Sequence, residues 1–151
     1  MAKKLTISNI NKEYTRFNEK SEISIMDGKY TIEVNKHMKK TDIQKMLIDY
    51  DSIARQLENN HDIEILKGTI IIPTLLIKYL TNIDVPEEAD KLLMMAEQLI
   101  NLDLFSEIIA SLPEDEIVKM TLVIDQVVTN TSKMVKEIED VVEKEVKSTL
   151  N

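Results

Sequence analysis

Two runs of alternating apolar and polar residues, Glu22-Ile23-Ser24-Ile25-Met26 and Lys29-Tyr30-Thr31-Ile32-Glu33-Val34, flank an Asp27-Gly28 pair. A period of two puts alternate side chains on one face of a strand, and Asp-Gly suits a type I′ turn because both central residues need positive φ. The pattern predicts a β-hairpin with Ile23 and Ile25 on one face. Tyr30, Ile32 and Val34 share a face of the return strand. The preceding segment, Leu5 to Phe17, fits either a third strand or a short helix, and its pattern does not choose between them.

Past residue 40 the period becomes helical. Thr41-Asp42-Ile43-Gln44 has the form of a capping box, and Ile43, Met46, Leu47, Tyr50, Ile53, Ala54 and Leu57 then recur at helical spacing as far as Asn59-Asn60. A second helix is expected from about Asp62 to Thr81, bent near Pro73, where the ring removes a backbone donor and crowds the previous turn. Asp84-Val85-Pro86-Glu87-Glu88 reads as the start of a third, carrying Leu92, Leu93, Met95, Ala96, Leu99 and Ile100. A shorter helix follows from Asn101 to Ser111, and Leu112-Pro113-Glu114-Asp115-Glu116 restarts the pattern.

From Pro113 to about Lys147 the chain reads as one helix striped by Ile117, Met120, Ile124, Val127, Val128, Met134, Val135, Ile138, Val141 and Val142. At about 1.5 Å per residue such a helix is on the order of 50 Å long, more than a compact domain of this size covers. Beyond Thr131 the apolar positions narrow to a seam of the kind that pairs with another helix. Val135, Ile138, Val142 and Val146 are the candidate partner-binding residues. The alternative is a solvated tail whose valines pack locally.

These elements give a mainly α protein with a small N-terminal β-hairpin (α+β), a bundle of four to five helices with a long C-terminal helix. We expect a single domain over residues 1–151, with a hairpin region at 1–40, a helical core at 41–112 and the long helix at 113–151. Composition agrees: 151 residues with 43% apolar and 30% charged side chains suit one folded core, while two glycines and three prolines leave little material for an all-β fold.

Charge divides the chain by region. Residues 1–40 hold nine Lys/Arg and five Asp/Glu, whereas residues 41–151 hold ten and twenty-two, within a total net charge of −8. Either the lysines are ordinary solubility devices, or the two regions meet complementary surfaces on neighbouring copies or partners. No apolar run follows the first lysines as a secretory signal would, and Glu64, Lys67, Pro73 and Lys78 interrupt the richest apolar stretch, so neither secretion nor a membrane span is expected. The cytoplasm is the expected location. The glycosylation pattern Asn130-Thr131-Ser132 lies inside a helical pattern and is read as chance.

Reactive chemistry is sparse. With no cysteine there is no thiolate nucleophile and no Cys-ligated metal. His37 and His61 stand outside any ligand-spaced cluster and are expected as solvated surface histidines. Asp49-Tyr50-Asp51 and Glu114-Asp115-Glu116 are more simply a helix face and a helix start than acid–base pairs. Two glycines cannot build a phosphate cradle, and a short basic region in a protein of pI about 4.8 is a poor nucleic-acid surface. We therefore expect no catalytic residue, cofactor, metal or small-molecule substrate, and no nucleic-acid or membrane partner.

An apolar helix ending in Lys78-Tyr79-Leu80-Thr81-Asn82-Ile83, an acidic spacer, and a helix running through Ile108-Ile109-Ala110-Ser111-Leu112-Pro113-Glu114-Asp115-Glu116 into a long charged helix occur in that order. This arrangement, over roughly residues 63–145, resembles small proteins from the structural gene clusters of tailed bacteriophages and prophages of Gram-positive bacteria, some of them tail assembly chaperones. The resemblance implies morphogenesis rather than catalysis, in the bacterial host cytoplasm or the virion, with other phage structural proteins, or a further copy of the chain in a homo-oligomer, as partners. Two other readings are a head or connector accessory subunit of the virion, and a small regulatory or anti-defence protein that binds a host protein through its acidic helical face.

Overall fold

The computed structural model describes the backbone of residues 1–150 and the side chains of residues 1–126 and 136–147. Mainly α with one two-stranded antiparallel sheet, it divides into two compact units, Met1–Ile117 and Val118–Asn151. In chain order the elements are α1 (Ile7–Tyr14) with a 3₁₀ turn at Thr15–Asn18, β1 (Lys20–Ile25), β2 (Tyr30–Asn35), α2 (Lys40–Gln56), α3 (Ile63–Leu66), a π turn at Lys67–Ile71, α4 (Ile72–Leu80), α5 (Ala89–Asn101), α6 (Leu104–Ser111) and α7 (Glu114–Leu150).

The hairpin forms in the expected register, with Ile23 opposite Ile32 and Ile25 opposite Tyr30. Asp27 and Gly28 take φ of 56° and 83°, and the Lys29 N–H donates to the Met26 carbonyl at 3.1 Å, as a type I′ turn requires. Met26 adds a third left-handed residue, with φ of 54°. Ile25, Ile32 and Val34 face inward. Leu5 to Phe17, open in the sequence, is helix α1: the Thr6 hydroxyl accepts from the Asn9 N–H at 3.2 Å and caps it.

Helix α2 buries Ile43, Met46 and Ile53, with Leu57 closing the same stripe. The capping box at Thr41 does not form. The helix begins one residue earlier, at Lys40, and the Lys39 carbonyl already accepts the N–H groups of Asp42 and Ile43, so Thr41 lies inside the first turn.

Around Pro73 the structure widens the helix, where the sequence predicted a bend. Pro73 occupies the first turn of α4, where a missing N–H costs little, and the preceding π turn closes with the Ile72 N–H donating to the Lys67 carbonyl. Two hydroxyls satisfy carbonyls of this region: Thr69 donates to Ile65 at 2.7 Å and the fully buried Thr74 to Ile70 at 2.6 Å. The gain is a nearly continuous buried run of Ile71, Leu75, Leu76, Ile77 and Leu80. Each such side chain contributes about 1.5–3 kcal/mol by leaving water.

The Pro86 segment does not start a helix. Val85 is buried, Glu88 remains extended, and α5 begins only at Ala89, whose N–H is taken by the Gln56 side-chain oxygen at 2.9 Å. α5 supplies Ala89, Leu92 and Ala96 to the core, and α6 supplies Leu104 and Ile108 after a turn in which Asp103 adopts φ of 58°. In the second unit, α7 runs without interruption to Leu150. Among the described residues no helix is long and apolar enough to cross a membrane.

Candidate interaction surfaces

The motif Lys78-Tyr79-Leu80-Thr81-Asn82 is where three elements of the first unit meet. On one side, Asp49 of α2 accepts from Lys78 Nζ at 2.7 Å and, at the same oxygen, from the Tyr79 hydroxyl at 2.5 Å. On the other, Thr81 bridges to Val34, the Asn82 N–H donates to the Glu33 carbonyl at 3.2 Å, and Asn82 Oδ1 accepts the Glu33 N–H at 3.0 Å. Asn35 Nδ2 adds a bond to the Tyr79 carbonyl at 3.2 Å. The residues after α4 thus extend the edge of β2.

A tyrosine, a lysine and an aspartate this close invite a catalytic reading, which the electrostatics weaken. Burial, then the hydrogen bond and charge of Asp49, push the Tyr79 phenol well above its ordinary value, so it holds its proton and is a poor base. Lys78 spends its ammonium on the same carboxylate. A polar hollow of about 170 Å³ beside the cluster is lined by Asp49, Ser52, Lys78 and Glu87 among apolar walls. Among the described residues no group of three or more His, Asp or Glu side chains is placed to hold a metal ion.

His37 is not simply solvated. Its ring lies between Glu19 and Glu116, with Nε2 at 3.6 Å and Nδ1 at 3.8 Å from their carboxylates, and Phe17 meets it edge-on. Glu116 also accepts the Met38 N–H at 3.1 Å, which ties the exit of the hairpin to the first turn of α7. Nothing in the sequence joins these residues, because Glu116 lies 79 positions from His37. His61 is exposed in the turn before α3, as expected.

Apolar surface is the more extensive feature. On α7, Ile138, Val141, Val142 and Val146 are each more than half exposed, and Glu137, Ile138, Val141 and Val142 line an open hollow of about 350 Å³. Of the four candidate partner-binding residues, Ile138, Val142 and Val146 therefore lie on one exposed helix, whereas Val135 lies outside the described side chains. So do Val127, Val128 and Met134 of the stripe and the Asn130-Thr131-Ser132 pattern.

Two further apolar surfaces, not singled out in the sequence, lie in the first unit. One is a groove of about 210 Å³ between the π turn and α5, lined by Leu66, Ile70, Leu93, Ala96, Glu97 and Ile100. The other is the outer face of α1, where Leu5, Ile7, Ile10 and Tyr14 are about half exposed or more. The Ile7, Ile10, Tyr14 spacing was the available sign of the second; an eight-residue helix is too short for it to decide between helix and strand.

The family model described as YomO matches residues 7–151. No curated protein and no solved structure matches the chain.

Proposed function

This chain belongs to the YomO family, which takes its name from a Bacillus phage and prophage gene, and from that premise we propose a non-enzymatic bacteriophage morphogenesis protein, specifically a tail assembly chaperone. Its task is to hold an unassembled tail component until assembly. The partners are phage structural proteins rather than nucleic acid, membrane or a small molecule.

The observation that carries this reading is the exposed seam of Ile138, Val141, Val142 and Val146 on α7. Half-exposed aliphatic side chains grouped on one helical face gain roughly 1 kcal/mol each when a partner covers them. A chaperone needs such a reversible contact: enough apolar area to shield a client, and a charged surround that keeps the unbound protein soluble. Glu137, Glu139, Asp140, Glu143 and Glu145 provide that surround.

Co-expression with the adjacent tail genes tests the proposal. Wild-type protein is expected to keep one tail component soluble and to be missing from finished particles. Normal particles formed without the gene, with no tail component bound, would refute it. A second reading, a subunit that stays in the virion, is favoured by the charge division between residues 1–40 and the remainder; mass spectrometry of purified particles separates the two.

A further inference from the structure

Helix α1 buries none of its residues. Ile7, Ile10 and Tyr14 recur at i, i+3 and i+7, so three large side chains stand in one stripe with 79%, 50% and 48% of their surface exposed. Around them the segment Met1–Asn18 carries Lys3, Lys4, Lys12 and Arg16 against the single acid Glu13. Tyr14 leans on the Phe17 ring and under the Lys39 ammonium, but the stripe as a whole stays open. A half-covered, amphipathic, basic helix in a protein of net charge −8 calls for an occupant of opposite charge.

The same chain carries that occupant. The groove beside α5 is walled by Leu93, Ala96, Glu97 and Ile100, again at i, i+3, i+4 and i+7, with Leu66 and Ile70 opposite. Ile7 to Tyr14 and Leu93 to Ile100 are each eight residues, seven steps or about 10.5 Å of helix, so the stripe and the groove match in length. They also match in charge: residues 62–71 and 88–103, the two segments that carry the groove's walls, hold six acidic and two basic residues. Glu97 stands on the groove wall, within reach of an incoming lysine or arginine.

We infer that α1 of one copy docks into the α5 groove of a second copy. The two surfaces are different parts of one chain, so the contact is head-to-tail: it propagates into a ring or a filament instead of stopping at a dimer. Two helical turns against one groove bury less than a standard interface of about 1,600 Å², so a single contact is weak and grows through repetition. This inference does not depend on the α7 seam, which it leaves free for another partner.

Because the chain has no cysteine, engineered thiols report the contact directly. Ile10→Cys and Ile100→Cys proteins are mixed at equal concentration under mild oxidation, and the cross-linked peptides are quantified. Docking predicts a mixed disulfide, joining position 10 of one copy to position 100 of the other, in several-fold excess over the sum of the two like-with-like disulfides, which random pairing would only equal, and an excess that decreases as salt screens the charges. It also predicts return to the statistical share when the first partner carries Lys4→Glu and Lys12→Glu, exposed changes that leave the fold intact by circular dichroism. Statistical cross-linking from the outset overturns the proposal. So does a chain carrying both substitutions that closes within itself at high dilution, since α1 would then be filling its own groove.

Discussion

Asp49 receives two donors at one carboxylate oxygen, and the consequences are measurable at Tyr79. Its phenol titrates above the ordinary value of 10.0 in the folded chain, first because it is buried and then because Asp49 stands beside it. The folded state therefore binds the proton more tightly than the unfolded state. That contribution is complete below about pH 10 and is lost as pH rises from there through the folded value. Tyr79→Phe is expected to lower stability by about 1 kcal/mol at neutral pH. Its denaturation midpoint should also fall less steeply than that of wild type above about pH 10, and equal alkaline slopes would show that Tyr79 is not the linked group. At Gly28 the constraint is backbone alone: φ is +83° and an added Cβ would meet nothing within 4 Å. Gly28→Ala should cost about 1 kcal/mol in urea denaturation without altering the sheet, because only the left-handed conformation opposes it.

Element boundaries followed tertiary partners more than local signals. The strand alternation and the Asp-Gly pair were sufficient for the hairpin, since both act within a few residues, and the α2 and α7 stripes are legible because helical periodicity survives over many turns. Capping signals failed at two helix starts. At Thr41 the backbone turn simply closes on the Lys39 carbonyl without a side-chain cap, whereas Pro86 is passed over because α5 starts where Gln56 of α2 reaches the Ala89 N–H, 33 residues away. Gln56→Ala should therefore cost about 1 kcal/mol, in the range of other lost helix caps. Hydrogen exchange should show the loss concentrated in the first turn of α5; uniform loosening would contradict a capping role. The π turn before Pro73 was not legible either, since it depends on the Thr69 and Thr74 hydroxyls finding carbonyls one turn back. Of the interaction surfaces, the α7 seam was visible as periodicity, while the α5 groove exists only once the π turn and α5 are side by side.

For the whole molecule, what the described residues offer a partner is contact surface: a basic amphipathic helix, an acidic apolar groove and a valine-rich seam. The family match makes the chain a phage-associated protein, and the assembly role proposed for that surface is what remains to be tested. The two units divide the roles, with the hairpin, the joint at Tyr79 and the groove in Met1–Ile117 and the seam in Val118–Asn151. The most direct test of the assembly-chaperone account is to quantify tail proteins that co-purify with tagged wild type and with an Ile138→Glu, Val142→Glu variant from cells expressing the adjacent tail genes. The account predicts one tail component enriched by wild type and reduced roughly a hundred-fold or more by the variant, at an unchanged melting temperature, because two carboxylates cannot enter an apolar contact unpaired. Equal recovery by both proteins, or no tail component with wild type, would contradict it.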